Sequence, residues 1–366
     1  MRIDTTRIVA DMHVWDGQNT PLVVTDIIKE THDVTTFRFQ GDPLCRFVYY
    51  PGQFCSLVLN INGKKVVRSY TISSSPSRPY QLEITVKRVP GGLVSNWLPD
   101  NLQIGSRIEV AGPRGKFCLV PGRIPPNILL IGAGSGVTPA LSMGRWLCDV
   151  SAPVDVKFFN SVRSPDDIIG HHEIQLMALR NKLFAPLILT STRGSNSTWT
   201  GFSGRINRQM LEYAVPDIKE RHIYMCGPPP FMDCVRALLA QMNYDLANLH
   251  LESFGGVRTS VADKPAPLGA ADGDGAPQAG ALAIEFAKSG KVAHTDGATT
   301  LLEVGEANDI ALDYGCRAGN CGDCKVRLLK GEAKTAIEDG LTAEDKKAGY
   351  ILTCVAKPRS ACTVDA

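Results

Sequence analysis

Four cysteines near the C-terminus constrain this chain more than any other feature. Cys316, Cys321 and Cys324 follow the spacing C-x4-C-x2-C, and Cys354 stands alone further along the chain. This is the plant-type spacing of a [2Fe–2S] cluster, in which two irons with bridging sulfides leave four terminal positions for thiolates. Glycines at 315, 319 and 322 let the backbone wrap closely around such a group. The spacing therefore predicts an iron–sulfur site with these four ligands.

A structural zinc site is the alternative for the same cysteines. Zinc sites usually pair two short C-x2-C knuckles, whereas here one loop contributes three ligands and the fourth is solitary. The spacing favours the cluster, and a near-equal content of iron and sulfide in the protein would distinguish it from zinc. The remaining cysteines have no ligand spacing, which indicates ordinary thiols in a reducing compartment.

Composition excludes several classes of function. The 366 residues suffice for two or three domains. A net charge of +2 is too small to make nucleic acid or an anionic membrane the main partner. No stretch approaches the roughly 18 apolar residues of a membrane span, and the N-terminus has no apolar signal region. We therefore expect a cytoplasmic protein that binds neither nucleic acid nor membrane.

The pattern of the chain predicts three folded segments and a linker. Residues 21–122 contain short β-rich runs separated by turn clusters, which is typical of an antiparallel barrel or sandwich. Residues 123–256 alternate strands with helices, the pattern of an α/β domain on a parallel sheet. Residues 257–280 are mostly Ala, Gly, Pro and Asp, which predicts a flexible linker. Residues 281–366 form a small C-terminal domain, and residues 1–20 receive no assignment.

Two motifs in the first segment suit a flavin nucleotide. The run RSYT at 68–71 lies on a predicted strand, where Arg can neutralise a phosphate, Tyr can stack on a flat ring and Thr can hydrogen-bond a ring nitrogen. Paired glycines at 91 and 92 precede a short predicted helix, whose free N–H groups can bind a pyrophosphate. Taken alone, each motif has a simpler alternative, an edge strand with an exposed base or a plain Gly-Gly turn.

Two elements in the second segment suit a dinucleotide. Gly132, Gly134 and Gly136 follow an apolar strand and precede a predicted helix, so the turn can present N–H groups to a pyrophosphate. Val137 stands where the G-x-G-x-x-G pattern has its third glycine. The run Cys226–Pro228 closes another predicted strand. Each element alone is explained by an ordinary turn, whereas the ordered pair indicates a nucleotide site.

These motifs, in this order, resemble the ferredoxin–NADP reductase superfamily over about residues 20–254, and residues 281–366 resemble a ferredoxin domain. The resemblance implies an antiparallel β-barrel that binds FAD, a Rossmann-like α/β domain that binds NAD(P), and an α+β domain of β-grasp type. It implies catalytic contacts for Tyr70, Thr71 and Cys226. It implies that the cofactors are bound by Arg68, Ser69, Tyr70, Thr71, Val86, Lys87, Arg88, Gly92, Leu93, Val94, Ser95, Gly134, Gly136, Thr138, Arg193, Cys226, Gly227, Pro228 and Phe254.

The same resemblance gives the flavin contacts individual roles. Arg68 touches the flavin diphosphate, Tyr70 stacks on the isoalloxazine ring and Thr71 approaches flavin N5. Residues 86–88 flank the adenylate, and residues 92–95 cradle the pyrophosphate. Because FMN has no pyrophosphate to hold, this cradle favours FAD.

The preferred nicotinamide is less constrained. The resemblance places Thr138 near both rings, Cys226 beside the nicotinamide, and Arg193 where the adenosine 2′-position is recognised. An arginine there can accept a 2′-phosphate, and no acidic residue stands nearby to bind the ribose diol of NADH. Arg193 is equally explained as a solvated loop residue. The resemblance to NADH-dependent relatives favours NADH, and NADPH stays open.

The combination of modules has a chemical reason. A nicotinamide gives up two electrons together as a hydride, and a [2Fe–2S] cluster accepts one. A flavin can take the pair and release the electrons singly. The sequence therefore predicts an oxidoreductase that moves electrons from NAD(P)H to FAD, then to the cluster and then to an external acceptor.

Further runs narrow the acceptor by resemblance. The runs RSYTISSSPS, SPDDII, ESFG and GYILTC resemble the reductase components of Rieske-type monooxygenases that demethylate quaternary ammonium compounds such as glycine betaine. This implies a terminal Rieske oxygenase as partner. Two alternatives stay open: the reductase of another oxygenase, such as the diiron epoxidase of phenylacetyl-CoA, and a non-catalytic iron–sulfur module whose flavin site has decayed.

Overall fold

The computed structural model describes residues 12–17, 21–194, 199–254, 282–308, 310, 312–314, 319, 322–335, 337–338 and 340–366. Two compact units make up the chain, Met1–Phe254 and Gly255–Ala366. The predicted linker at 257–280 lies outside the described residues, so its flexibility stays a prediction, as do the predicted domain boundaries.

The first unit begins with an antiparallel barrel. Its six strands are β1 (Leu22–Lys29), β2 (Val34–Gly41), β3 (Phe54–Ile61), β4 (Lys64–Thr71), β5 (Leu82–Lys87) and β6 (Arg107–Arg114). They are arranged in the order β4-β3-β6-β1-β2-β5 with antiparallel neighbours. An antiparallel bridge from Ile72, just after β4, to Ile84 in β5 joins the two edges. The predicted antiparallel β-barrel is confirmed.

Alternation builds the interior of this barrel. In β2, Phe37 and Phe39 are fully buried in the barrel core, while the intervening Arg38 is partly exposed. Helix α1 (Leu93–Asn101) packs against the same core. Trp15, from the N-terminal segment that the sequence left unassigned, is buried there too and meets Phe47 edge-on, with ring centroids 5.4 Å apart.

A parallel sheet with helices forms the rest of the first unit. Its strands are β7 (Asn127–Ala133), β8 (Asp155–Val162), β9 (Phe184–Thr190), β10 (Phe202–Ser203), β11 (His222–Cys226) and β12 (Leu249–Glu252). Its helices are α2 (Val137–Asp149), α3 (His171–Arg180), α4 (Arg208–Ala214) and α5 (Pro229–Gln241). The strand order β10-β9-β8-β7-β11-β12 reverses between β7 and β11. This confirms the Rossmann-like α/β prediction, and such a reversal opens a crevice for ligands at the carboxyl ends of the strands.

The described part of the second unit contains a five-stranded mixed sheet, a two-stranded sheet and short helices. Its elements are β13 (Leu282–Phe286), β14 (Lys291–Thr295), α6 (Leu301–Ala307), β15 (Lys325–Lys330), β16 (Ala333–Thr335), α7 (Ala343–Lys347), β17 (Tyr350–Leu352), β18 (Ala356–Pro358) and β19 (Cys362–Val364). Five strands lie in the order β14-β13-β19-β15-β17, with β13 parallel to β19. This is the predicted α+β architecture.

In the described part of the chain, no helix is both long enough and apolar enough to cross a bilayer.

Candidate functional site

The run predicted to contact a flavin occupies the end of β4. Arg68 and Tyr70 alternate onto one face of the strand, and Ser69 and Thr71 onto the other. Tyr70 packs against the barrel core, and burial raises the pKa of its phenol despite the nearby Arg68 charge. Ser69 pairs with Ser56 of the neighbouring strand β3, with the two Oγ atoms 2.9 Å apart. The face with Arg68 and Tyr70 therefore presents the phosphate-binding and stacking groups together.

Thr71 has a buried hydroxyl that its protein surroundings do not satisfy. The residue is 4% exposed, and among the described residues its Oγ1 has no hydrogen-bond partner. The nearby hydroxyls of Ser73 and Thr85, in contrast, are paired at 2.9 Å. A buried polar group left unpaired costs roughly 1–3 kcal/mol. A ring nitrogen of a bound cofactor would satisfy this hydroxyl.

The paired glycines lead directly into α1. Gly91 has a φ of +72°, a left-handed conformation that glycine adopts without strain, and Gly92 is the N-cap of the helix. No side chain caps this helix start, which leaves its first N–H groups available to an anion. The Ser95 hydroxyl accepts a hydrogen bond from the Val89 N–H at 3.2 Å. The Ser95 hydroxyl therefore stabilises the turn, and its predicted contact with a pyrophosphate stays a prediction.

The three residues expected beside the adenylate are already engaged within the barrel. Val86 is buried in the barrel core. Lys87 pairs with Asp33 at 2.8 Å, and Arg88 pairs with Asp100 at 2.5 Å. Their role as cofactor ligands stays a prediction. Because their side chains are engaged, any contact with the adenylate would be made mainly by their backbone atoms.

The glycine-rich turn and the Cys-Gly element lie against each other at the strand reversal. Gly134 has a φ of +55° in the turn after β7. A Cβ on Gly136 would lie 2.4 Å from the Cys226 carbonyl oxygen and 2.7 Å from the Gly227 Cα. The Thr138 hydroxyl donates to the Ser135 carbonyl at 3.0 Å and so holds the turn closed. Two loops that are far apart in sequence thus form one cradle with no room for side chains between them.

Cys226 is the last residue of β11 and lies where the two loops of this cradle meet. It pairs in register with Gly132 on one side and with Glu252 on the other. Burial raises the pKa of the Cys226 thiol well above its usual value, and the Glu252 carboxylate raises it further. The thiol is therefore neutral at physiological pH, suited to packing beside an uncharged ring.

Three other predicted contacts lie at the edges of this region. Pro228 is exposed and caps α5. Arg193 is exposed in the loop after β9, where the chain beyond Gly194 leaves the described part of the structure. Phe254 is partly exposed after β12. Their roles in binding stay predictions.

The described half of the cluster site contains two buried thiols. Cys324 is 2% exposed and Cys354 is 7% exposed, and their Sγ atoms are 3.1 Å apart without a disulfide. The Cys324 carbonyl accepts from both the N–H and the hydroxyl of Thr353, at 3.0 and 3.1 Å. The other two predicted ligands, Cys316 and Cys321, lie outside the described residues.

Described glycines that precede Cys324 in the chain have left-handed backbones. Gly319 and Gly322 have φ values of +77° and +85°. A Cβ on Gly322 would lie 2.7 Å from the Gly340 carbonyl oxygen, and the Gly340 N–H donates to the Gly319 carbonyl at 2.8 Å. Two buried thiols as close as those of Cys324 and Cys354 fit a metal–sulfur group.

Models of known families match three parts of the chain. Residues 21–118 match the oxidoreductase FAD-binding domain, 130–237 the oxidoreductase NAD-binding domain, and 286–359 the 2Fe-2S iron-sulfur cluster binding domain. The last match decides between the cluster and zinc in favour of the cluster.

Relatives extend the likeness to nearly the whole chain. The glycine betaine monooxygenase reductase subunit of Pseudomonas aeruginosa is 41% identical over 344 residues, which is 93% of each chain. The corresponding subunit of Chromohalobacter salexigens is 41% identical over 96% of each chain. The stachydrine N-demethylase reductase subunit of Rhizobium meliloti is 37% identical over 94% of this chain and 96% of its own. This chain belongs to that family of reductase subunits.

Solved structures show the same fold. Phthalate dioxygenase reductase, described as modular for electron transfer from pyridine nucleotides to [2Fe–2S], superposes on 95% of this reductase and 98% of its own chain, with a TM-score of 0.64 and 22% identity. A ferredoxin reductase in carbazole 1,9a-dioxygenase covers 64% of this chain and 69% of its own, with a TM-score of 0.56 and 28% identity.

The cofactors of this reductase are accordingly FAD, a nicotinamide dinucleotide and a [2Fe–2S] cluster. The structure offers a fitting feature for each group. The unpaired Thr71 hydroxyl and the uncapped start of α1 suit the flavin nucleotide, the loop cradle at Gly136 suits the dinucleotide, and the thiols of Cys324 and Cys354 suit the cluster.

Two polar residues of the reductase near the cradle were absent from the predicted set. Glu252 is buried beside Cys226. Asn160 is 0% exposed, pairs in register with Gly132, and has no partner for either amide atom among the described residues. A lone amide after the two phenylalanines of β8 was the only sequence signal for Asn160, and Glu252 belongs to the run ESFG, which carries part of the family resemblance.

Proposed function

We propose that this chain is the reductase component of a two-component monooxygenase and passes electrons from NADH through FAD and the [2Fe–2S] cluster to a Rieske-type oxygenase. One observation carries the proposal: a single chain holds a flavin strand and a dinucleotide cradle in one unit and a pair of cluster thiols in another. A two-electron donor and a one-electron acceptor need a flavin between them, and this chain has a place for each.

The residues of the first unit bind and orient. Arg68 neutralises phosphate, Tyr70 covers the flavin ring, and Thr71 donates its free hydroxyl to a ring nitrogen. The cradle at Gly136 admits the dinucleotide close to the backbone, and the neutral Cys226 packs beside the nicotinamide. When bound, the flavin accepts a hydride from the nicotinamide and delivers electrons one at a time. No general base is required of the chain, because the reaction depends on distance and stacking.

The second unit holds the cluster through Cys316, Cys321, Cys324 and Cys354. The two described thiols are buried, and burial and hydrogen bonding around the sulfurs are the means by which a protein tunes the reduction potential of such a group.

The names of the relatives suggest the substrate class of the partner. Two curated relatives serve a glycine betaine monooxygenase and a third serves a stachydrine N-demethylase. We therefore assign the partner oxygenase to demethylation of a quaternary ammonium compound. The many free cysteines suit a reducing compartment, and we place the reaction in the cytoplasm.

Reconstitution with an oxygenase tests the proposal. The full chain, loaded with FAD and cluster, is mixed with a purified Rieske oxygenase of this class, NADH, oxygen and glycine betaine. We expect substrate-dependent NADH oxidation with one formaldehyde released per NADH. A protein that NADH fails to reduce overturns the whole function. NADH oxidation with artificial acceptors, but without coupling to any quaternary amine, overturns the choice of partner alone.

The choice of nicotinamide has its own measurement. We expect kcat/KM for NADH to exceed that for NADPH, because Arg193 lies on an exposed loop where a 2′-phosphate contact would be largely solvated. A preference for NADPH of more than about tenfold, equivalent to about 1.4 kcal/mol, reverses the assignment.

A further inference from the structure

One face of α2 joins the nicotinamide loop to the barrel. Thr138, Ser142 and Arg145 are spaced i, i+4 and i+7, so they lie on the same side of the helix, and all three are buried. Thr138 closes the glycine-rich turn at the start of the helix. The other two residues reach out of the α/β layer.

Ser142 and Arg145 both hydrogen-bond to the turn that follows β4, the strand predicted to contact the flavin. The Ser142 hydroxyl donates to the Ser74 carbonyl at 2.7 Å, and the Arg145 Nη1 donates to the Ser73 carbonyl at 2.6 Å. Ser73 stands two residues after Thr71, the residue with the unpaired hydroxyl. Two consecutive carbonyls of the barrel are thus hydrogen-bonded to consecutive turns of the nicotinamide helix.

The Arg145 guanidinium is also paired on two further sides. Its Nε and Nη2 donate to Glu173 of α3 at 3.0 and 2.5 Å, and Nη1 lies 3.5 Å from Glu83 of β5. Glu83 in turn accepts from Arg38 at 2.8 Å. Arg145 is 6% exposed, and a buried charge of this kind is held firmly because removing one partner leaves the other uncompensated.

A second buried arginine shows that stability alone does not require this arrangement. Arg221 is 2% exposed and pairs with Asp155 at 2.7 Å and Asp217 at 2.6 Å. These partners all lie within the α/β layer. Arg221 therefore forms buried ion pairs that do not contact the barrel. It is the matched control for Arg145.

We infer that Arg145 and Ser142 are positioning residues for hydride transfer, which fix the distance between the flavin site at Thr71 and the nicotinamide site at Thr138. Seven residues of helix span about 10 Å. The helix α2 therefore rigidly connects the nicotinamide loop to the barrel turn that Ser142 and Arg145 hydrogen-bond. Misplacing reacting groups by about 1 Å can cost on the order of 100-fold in rate. This inference rests on the proposed function.

Arg145→Lys and Ser142→Ala test it, with Arg221→Lys as the matched control. Anaerobic mixing with NADH gives the rate constant of flavin reduction, the Kd of NADH and the intensity of the charge-transfer absorbance between the two rings. We expect Arg145→Lys to slow flavin reduction by about 10- to 100-fold and to weaken the charge-transfer band, with Kd for NADH within about twofold. Ser142→Ala gives a smaller change in the same direction, and Arg221→Lys leaves all three within about twofold.

Hydrogen exchange supplies a readout that needs no turnover. In the protein without nicotinamide, we expect the amides of residues 72–75 to exchange faster in Arg145→Lys than in the wild type or Arg221→Lys, because the turn has lost the hydrogen bond from the guanidinium.

Each outcome decides between the claims. Wild-type rate, charge-transfer band and exchange in Arg145→Lys overturn the inference and leave the proposed function standing. Equal slowing by Arg145→Lys and Arg221→Lys also overturns it, since general loosening then explains the effect. If Arg145→Lys does not fold, Ser142→Ala decides, and an unchanged rate in that variant overturns the inference. Wild-type protein that NADH cannot reduce means that the proposed function itself fails.

Discussion

The two units of the molecule hold their redox sites by different means. In Met1–Phe254, side chains tie the flavin and nicotinamide loops together, chiefly Arg145 and Ser142 reaching the turn after β4. In the described part of Gly255–Ala366, contacts between glycine backbones shape the chain that precedes Cys324, as where Gly340 donates to Gly319 at 2.8 Å. Buried ion pairs act in the first case and close-packed glycines in the second.

The difference follows from how each cofactor is bound. FAD and NADH are held without covalent bonds, so the protein's own contacts must fix the distance between them. A cluster makes four bonds to thiolates, and metal binding of this kind contributes directly to the free energy of folding. Rigidity is therefore built into the first unit before its cofactors arrive, whereas the second unit gains much of it from the cluster.

Removing a cluster ligand should separate the two units most sharply. In Cys354→Ala we expect loss of cluster iron and a fall in electron delivery to the oxygenase of more than about 100-fold, because one terminal position of the cluster loses its protein ligand. Flavin reduction by NADH stays within about twofold of wild type, since the first unit is untouched. Iron analysis and anaerobic mixing measure the two effects.

Cys362→Ala is the control for this variant. Cys362 is buried in the same unit, on β19, and has no place in the ligand spacing. It should keep its iron and its coupling to the oxygenase. Full iron content in Cys354→Ala would show that Cys354 is not a ligand.

Adding one methyl group to the cradle should act on the first unit alone. The Cβ of Gly136→Ala would lie 2.4 Å from the Cys226 carbonyl, so the two loops must move apart. We expect kcat/KM for NADH to fall by roughly 10- to 100-fold, with flavin and iron contents unchanged. Gly144→Ala on α2 is the milder comparison, because its Cβ meets a ring atom of Phe184 at 3.0 Å rather than backbone at 2.4 Å. Equal kinetics in the two variants would contradict the cradle.

Removing the unpaired hydroxyl tests the flavin strand. Thr71→Val keeps the shape of the side chain and loses the hydrogen bond, so flavin reduction should slow by roughly tenfold, the equivalent of about 1.4 kcal/mol. Thr35→Val, at another buried threonine whose hydroxyl accepts from Lys29 at 3.2 Å, should leave the rate unchanged. Wild-type kinetics in Thr71→Val would mean that this hydroxyl does not contact the flavin.

Acid should weaken the first unit through Glu173. Burial raises the pKa of this carboxyl, but the charges of Arg145 and Arg78 outweigh burial and hold it below its usual 4.5. A group with a lowered folded pKa stabilises above its unfolded pKa and loses that contribution as pH falls. In calorimetry between about pH 5 and 3, Glu173→Gln should therefore show a shallower decline of the melting temperature than the wild type. Identical acid slopes would contradict this.

The second unit offers the contrasting case. The hydrogen bond from Lys325 lowers the pKa of Asp345 to about 2, and the pair is 2.7 Å apart at the surface. Its contribution is likewise present above the ordinary pKa of aspartate and lost on acidification. Because it is exposed, about 1 M salt should abolish the small effect of Asp345→Asn on stability, while the effect of Glu173→Gln persists.

Local patterns made the cofactors predictable from sequence. The C-x4-C-x2-C spacing and the glycine-rich turn each encode a backbone shape within a few residues, and the family matches bear out the cofactors inferred from them. The barrel followed from short β-rich runs separated by turn clusters, and the parallel sheet from the alternation of strands with helices.

No local sequence pattern predicted the side-chain contacts that connect the flavin site with the nicotinamide site. Arg145 is 62 residues from Glu83 and 28 from Glu173, and only the fold brings the three charges together. Ser95 illustrates the same limit on a smaller scale. A serine in the first turn of a helix looks alike in sequence whether it binds a phosphate or, as here, accepts the Val89 N–H.

The shared arginine has a consequence for how such reductases can recombine. Glu83 and the Ser73 carbonyl belong to the barrel, while the guanidinium that satisfies them is encoded more than 60 residues later. A crossover between residues 114 and 127 would pair one parent's Ser73–Ser74 turn with the other parent's helix. Arg38 and Glu173 would still pair with the charges of Glu83 and Arg145, but the two carbonyls of the turn would lose their donors wherever the parents differ at residues 142 and 145.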